Sequence, residues 1–177
     1  MKFSENILSN FNELKTLLKN EKVKWVNFNQ FHLTLKFLGN TDSSLIPEIN
    51  KSLENISGNF QPFSIHFKGY GVFRNFSNIK VIWMGLEKSN DLINLYKAID
   101  SEMENLSFEK EKRDFNPHLT LCRIKFLNNR KKLIDFILRN QNISFQHFEI
   151  KEFFLIESIL KETGPTYINM RKFNLSK

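Results

Sequence analysis

Apolar and polar residues recur along this 177-residue chain with two different periods, which together predict a mixture of helices and strands. Four stretches carry apolar residues at intervals of three and four, the spacing that places them on one side of a helix. These predicted helices cover residues 4–20, 44–56, 91–106 and 130–140. The apolar stripe of the first helix consists of Ile7, Phe11, Leu14 and Leu18. Ser4 is a candidate N-terminal cap for that helix.

The remaining apolar residues alternate with polar ones, or run together, as they do in half-buried and fully buried strands. The predicted strands cover residues 23–28, 31–39, 62–73, 79–86, 117–126, 145–157 and 166–174. Several of these strands follow one another without an intervening helix, which favours antiparallel pairing. The order of elements therefore predicts an α+β fold rather than a regular alternation of strands and helices.

The tetrapeptide His-Leu-Thr-Leu occurs twice, once in each half of the chain, each time in a predicted strand that a helix follows. Alternate residues of a strand point to the same face, so His32 shares a face with Thr34, and His118 shares one with Thr120. The leucines point to the other face and suit a core. The repeat predicts two similar lobes that face each other and bring both pairs to one pocket.

A pair of histidines suits acid–base chemistry at neutral pH, because the free imidazole titrates near pH 6.5. One ring can accept a proton from water while the other donates a proton to a leaving oxygen. The hydroxyls of Thr34 and Thr120 can donate to phosphoryl oxygens on which charge develops. The pattern thus predicts phosphoester cleavage. The alternative is that both histidines are buried in their strands and satisfied by neighbours, which the repetition disfavours.

Composition limits the kind of substrate and the cellular compartment in which this chemistry is expected. The chain carries 26 Lys and Arg against 19 Asp and Glu, a net charge of +7 that suits a polyanion such as RNA or simply aids solubility. No apolar run reaches the roughly 20 residues of a membrane span, and no secretory signal opens the sequence. A single cysteine cannot form an internal disulfide, so we expect a cytoplasmic protein. The sequence contains no glycine-rich loop for nucleoside triphosphates, which argues against ATP use.

The surroundings of both tetrapeptides resemble a known family. "HLTLKFLGN" begins at His32, and "FNPHLTLCRIK" encloses His118. Together with "GYGVF" and "IKVIWMGL" within residues 69–86, and "IESILKETGPTYINMRKF" at 156–173, they resemble the two-histidine phosphoesterase superfamily. Within it the chain is most similar to the RNA 2′,3′-cyclic phosphodiesterases, historically called 2′-5′ RNA ligases. The resemblance covers nearly the whole chain in the family's order.

The resemblance implies one domain over residues 1–177 with two pseudo-symmetric lobes, each a mostly antiparallel sheet with helices outside, and an active-site cleft between them. It implies hydrolysis of a 2′,3′-cyclic phosphate at an RNA end to a 2′-phosphate, with no metal or cofactor; weak, reversible 2′-5′ ligation stays open as a side activity. His118 would activate water and His32 would protonate the leaving 3′ oxygen; the opposite assignment stays open. Family members usually open with an apolar strand, which we expect to be missing here.

Three further residues are candidates for substrate binding. Arg123 matches the motif arginine of the family and suits a phosphate, but regular strand parity places it opposite His118, where it could instead brace the strand through a salt bridge. Lys36 shares the face of His32, as a phosphate ligand or as a solvated strand lysine. Phe73 follows a predicted loop glycine and could stack on a base or pack against neighbours.

We expect no catalytic role for the remaining histidines and the cysteine. Cys122 falls on the face of His118 by parity, yet a small apolar role is expected rather than a nucleophile. His66 and His147 are expected to be surface residues. No third ligand stands at metal-site spacing, so activity should survive a chelator. We expect a monomer; the alternatives are a non-catalytic RNA-binding protein, or a phosphodiesterase acting on 2′-5′ oligoadenylate or a cyclic phosphate of ADP-ribose.

Overall fold

The computed structural model describes residues 5–162 and 164–176, so the predicted cap Ser4 lies outside the described residues. The elements, in chain order, are α1 (Glu5–Leu17), β1 (Lys22–Trp25), α2 (Ile46–Ser57), β2 (Phe63–Asn75), β3 (Asn78–Leu86), α3 (Asn90–Asn105), β4 (His118–Phe126), α4 (Arg130–Arg139), β5 (Ser144–Ile150), β6 (Glu152–Lys161) and β7 (Gly164–Asn174). Strands β1 and β4, β2 and β3, β3 and β4, and β6 and β7 pair antiparallel. The predicted α+β class is therefore confirmed.

The chain divides into two compact units, each assembled from three separate segments. The first unit comprises the chain up to Leu33 together with Ile65–Lys88 and Pro117–Phe148. Its centre is a five-stranded sheet with the strand order β1-β4-β3-β2-β5. The units are interleaved along the chain, so neither unit coincides with one half of it.

One face of the five-stranded sheet packs against helices α1 and α4. Phe11 of α1 contacts the Trp25 ring edge to face at 5.2 Å, and Phe136 of α4 lies 5.4 Å from the ring of Tyr70 on β2. All four residues of the predicted α1 stripe are buried, as the helical spacing required. Burial raises the pKa of the Tyr70 hydroxyl well above its ordinary value. We call this side of the sheet the helix face.

The second unit comprises Thr34–Ser64, Ser89–Asn116 and Glu149–Lys177. It contains helices α2 and α3 and a two-stranded sheet of β6 and β7. The Ser89 hydroxyl caps α3 by accepting a hydrogen bond from the Leu92 amide at 3.3 Å. The buried residues of α3 include the whole predicted stripe of Leu92, Leu95, Tyr96, Ile99 and Met103.

Two predicted strands are wrong in detail. Residues 31–39 form no hydrogen-bonded strand, and the chain instead makes a short 3-10 turn at Phe28–Gln30 and continues without regular structure. The predicted strand 145–157 is two strands, which break at Lys151. Alternating apolar residues indicate a strand only when a neighbouring strand supplies hydrogen bonds, and sequence alone does not reveal that neighbour.

Candidate active site

The second copy of the tetrapeptide opens β4, at the centre of the first unit. His118 lies opposite Gly85 of β3, Thr120 lies opposite Trp83, and Arg123 lies opposite Val81. Residues that are directly paired across two strands project to the same face of the sheet. Because β3 alternates regularly here, one face carries Gly85, Trp83, Val81 and their β4 partners His118, Thr120 and Arg123. We call it the histidine face; it lies opposite the helix face.

A β-bulge in β4 decides which side chains reach the histidine face. Neighbouring residues of β3 pair with Thr120 and Cys122, so Leu121 is an extra residue without a direct partner on β3. The carbonyl of Leu121 accepts a hydrogen bond from the Val26 amide at 3.0 Å, which anchors the chain leaving β1. The extra residue reverses the alternation of side chains beyond it.

The bulge overturns the parity argument for two residues. Arg123 lies on the histidine face and is exposed, rather than opposite His118, and no carboxylate pairs with it among the described residues. Cys122, expected beside His118, lies on the helix face between Ile82 and Trp25, where it is 0% exposed. Burial raises the pKa of the Cys122 thiol to about 12, so it is a structural residue rather than a nucleophile.

Two aromatic rings lie beside His118 on the histidine face. Phe73 meets the imidazole edge to face, with ring centroids 4.5 Å apart, and Trp83 lies 6.1 Å away. Phe73 and Trp83 are themselves 5.5 Å apart. Phe73 belongs to β2, which extends to Asn75, so the predicted strand 62–73 is right at this residue and the loop predicted around Gly71 is wrong. Trp83 was not predicted as a site residue, although its place in an apolar strand two residues before Gly85 is visible in the sequence.

His32 lies in the first unit, directly after the 3-10 turn at Phe28–Gln30. Its Nδ1 atom is 2.7 Å from the carbonyl oxygen of Gln30. A carbonyl can only accept, so Nδ1 carries the proton and donates it to Gln30. Phe31, just before His32, packs against Phe28 with centroids 5.1 Å apart, and this contact anchors the segment.

Thr34 and Lys36 belong to the second unit. Lys36 is not the solvated strand lysine that was one expectation: its side chain is 4% exposed and forms an ion pair with Asp100, which is 8% exposed. The Lys36 ammonium also donates to the carbonyl of Glu109 at 2.9 Å. These contacts occupy the ammonium with protein partners, and its role as a phosphate ligand stays a prediction.

The two remaining histidines are more than isolated surface residues. The rings of His66 and His147 stack 4.1 Å apart with an interplanar angle of 7°. His66 contacts Glu87 through Nδ1 at 3.0 Å and the Ser144 hydroxyl through Nε2 at 2.9 Å. Hydrogen bonds from His66 and Lys68 lower the pKa of the Glu87 carboxyl. Within residues 5–162 and 164–176, no group of three or more His, Cys, Asp or Glu side chains is arranged to hold a metal.

Sequence comparison agrees with the motifs. The family model of the 2′-5′ RNA ligase superfamily matches residues 4–161. The chain belongs to the 2′-5′ RNA ligase superfamily. The RNA 2′,3′-cyclic phosphodiesterase of Methanocaldococcus jannaschii is 38% identical over 163 residues, covering 92% of this chain and 91% of the relative. The enzyme of the same name from Aquifex aeolicus is 35% identical, covering 86% of this chain and 81% of its own. The family predicted from the motifs is confirmed.

Solved structures show that the superfamily fold is shared along the chain. The protein TT0787 of Thermus thermophilus superposes with a TM-score of 0.80 at 25% identity, covering 97% of this chain and 93% of that one. E. coli LigT in complex with 3′-AMP superposes with a TM-score of 0.69 at 19% identity, covering 100% and 95% of the two chains.

Among the described residues, no helix is both long and apolar enough to cross a membrane.

Proposed function

We propose that this superfamily member hydrolyses an RNA-terminal 2′,3′-cyclic phosphate to a 2′-phosphate, by acid–base catalysis from His32 and His118 and without a metal ion. The observation that carries the proposal is the histidine face, where an imidazole, a hydroxyl and a guanidinium project together from one strand of nine residues. The names of the relatives support the same activity.

In the proposed step, one bond to the phosphorus atom forms and one breaks. His118 accepts a proton from water, whose oxygen attacks phosphorus. The bond from phosphorus to the 3′ oxygen breaks, and Nε2 of His32 gives its proton to that oxygen. The products are a 2′-phosphomonoester and a free 3′-hydroxyl, and solvent restores the two protonation states. The opposite assignment of acid and base obeys the same balance.

The other candidates stabilise charge that develops on the phosphoryl group. The hydroxyls of Thr34 and Thr120 donate to the two non-bridging oxygens, and each such donor typically contributes a hundredfold or more to the rate. Arg123 reaches the same phosphate because the bulge at Leu121 projects it from the histidine face. Phe73 borders His118 and is the ring on which a terminal base would stack.

The test is hydrolysis of an oligoribonucleotide ending in a 2′,3′-cyclic phosphate, in the presence of EDTA. Chromatography against 2′- and 3′-phosphate standards identifies the product, and we expect the 2′-phosphate alone. His32→Ala and His118→Ala should each lower kcat by about 10²–10⁴-fold. His147→Ala is the matched control, because it removes an exposed imidazole from β5 and should leave kcat unchanged. Full activity in either motif variant, or complete inhibition by EDTA, would refute the mechanism.

The same assay separates the alternatives. A non-catalytic RNA-binding protein would retain the oligonucleotide without converting it. Faster turnover of 2′-5′ oligoadenylate or of ADP-ribose cyclic phosphate would reassign the substrate while keeping the histidine pair. Addition of an RNA with a 5′-hydroxyl tests ligation: that hydroxyl replaces water as the nucleophile, and we expect slow, reversible 2′-5′ joining without ATP. A cytoplasmic location and a monomeric state stay predictions of the sequence.

A further inference from the structure

The indole of Trp83 lies flat on the histidine face, and two glycines make room for it. Gly71 of β2 is the register partner of Trp83, and Gly85 stands two residues along β3. A Cβ atom at Gly71 would lie 2.2 Å from both Cη2 and Cζ2 of the indole. A Cβ atom at Gly85 would lie 3.0 Å from Cζ3 and 2.9 Å from the carbonyl oxygen of Lys68. The six-membered ring of the indole thus occupies the space of two missing side chains.

This arrangement is unfavourable for stability alone. Glycine in the interior of a strand weakens it, because it packs no side chain and loses more freedom on folding. The Nε1 atom of Trp83 is also buried, and it has no hydrogen-bond partner among the described residues. A buried indole N–H usually finds an acceptor, so a phenylalanine here would avoid a cost that tryptophan bears. Two glycines and an unpaired N–H point to a requirement other than packing.

The contacts suggest that the requirement is a fixed orientation of the His118 ring. Gly85, beneath the indole, is also the register partner of His118, so no side chain separates the indole from the imidazole. Phe73 contacts both the imidazole and the indole, which completes a three-ring cluster. Close packing on two sides restricts rotation of the imidazole about its side-chain bonds.

We propose that Trp83 is a positioning residue for the reaction: its indole, seated on Gly71 and Gly85, holds the His118 ring in the orientation that proton transfer requires. This inference rests on the proposed function, and it adds to it a residue that never touches the substrate. Acid–base catalysis depends steeply on geometry, since a misplacement of about 1 Å can cost roughly a hundredfold in rate.

Two variants disturb the indole in different ways. Trp83→Phe removes the larger ring and the unpaired N–H; the variant should remain folded while kcat falls about 10- to 100-fold with little change in KM. It should also shift the limb of the pH–rate profile that His118 controls. Gly71→Ala should displace the indole and lower kcat in the same way. Gly58→Ala is the matched control, because a Cβ there meets no atom closer than 3.7 Å.

A fluorescence titration tests the contact without any activity. In a Trp25→Phe background Trp83 is the only tryptophan, and a protonated imidazole in contact with an indole quenches its emission. We expect a pH-dependent emission that His118→Gln abolishes and His32→Gln leaves intact. The other charged side chains paired on this face are Arg123 and its β1 neighbour Lys24.

The outcomes separate the two proposals. If wild-type protein hydrolyses no cyclic phosphate, the proposed function fails, and the emission titration still decides whether Trp83 and His118 are coupled. A folded Trp83→Phe variant with wild-type kcat and pH profile overturns the positioning role. An emission titration that His118→Gln leaves unchanged overturns the contact itself. Should Gly71→Ala fail to fold, Trp83→Phe carries the test.

Discussion

Removing one partner of the ion pair between Lys36 and Asp100 should destabilise the protein strongly. Both side chains are more than nine-tenths buried, and the Asp100 carboxylate also accepts a hydrogen bond from the Glu111 amide at 3.4 Å. Lys36→Met keeps the length of the side chain and removes its charge. The variant leaves a buried carboxylate that has lost its counter-charge and retains one long hydrogen bond.

The expected magnitude follows from the burial. Deleting one member of a buried ion pair typically costs about 3–5 kcal/mol, because the other charge remains desolvated and uncompensated. For a chain of this length, one kcal/mol corresponds to a shift of about 2–4 °C in the unfolding midpoint. Lys36→Met should therefore lower Tm by about 6–20 °C. Replacing both partners, as in Lys36→Met with Asp100→Leu, should restore most of the loss because neither charge is then buried alone.

Urea denaturation followed by far-UV circular dichroism measures the free energy of unfolding of the wild type, both single variants and the double variant. Lys110→Met is the control, because the ion pair of Lys110 with Glu104 is exposed and its loss should change Tm little. Single variants within about 1 kcal/mol of the wild type would refute the reasoning. The double variant also tests Lys36 as a substrate ligand: wild-type kcat/KM would assign it a structural role, and a large loss would favour phosphate binding.

Four further predictions rest on three residues. Gly69→Ala should lower the free energy of unfolding by about 2–4 kcal/mol in urea denaturation, because its φ is +67° and a Cβ would lie 2.1 Å from the carbonyl oxygen of Gln141. The control Gly58→Ala, at φ −66°, should be neutral or slightly stabilising, and equal effects of the two substitutions would contradict the clash. The Cys122 thiol should resist iodoacetamide at pH 8 until the protein unfolds, and rapid labelling of native protein would contradict its burial. The free energy of unfolding should also fall as pH rises from about 9 to about 12, because the folded state retains the thiol proton that the unfolded chain releases; Cys122→Val should reduce this fall. Arg123→Ala should lower kcat/KM for the cyclic phosphate more than Arg123→Lys does, and equal activity of both variants with the wild type would remove Arg123 from the site.

The helices were predictable because each carries a buried apolar stripe at helical spacing. Residues 91–106 were predicted and Asn90–Asn105 is observed, and residues 130–140 were predicted against Arg130–Arg139. The serine and asparagine caps that precede these helices are local signals, which a sequence shows directly. The strand that carries His118 was also predicted to within one residue. Periodicity predicts an element correctly where the contacts that stabilise it recur along that element.

Prediction from the sequence failed where pairing with a neighbouring strand decides the structure. Residues 31–39 have the alternation of a strand, yet they pair with no strand among the described residues. The faces of Cys122 and Arg123 depend on how β4 aligns with β3, and a bulge is a property of that alignment rather than of either sequence. The role of Trp83 depends on glycines from two strands. Residue types were thus predictable at the candidate site, and their geometry required the fold.

The single extra residue in β4 makes the length of this strand as important as its composition. If β4 paired with β3 without the bulge, the same sequence would alternate plainly, turn the guanidinium of Arg123 towards the helices and push the Cys122 thiol to the opposite side. We therefore expect superfamily members that keep this bulge to keep the same number of residues between the histidine and the arginine of this strand.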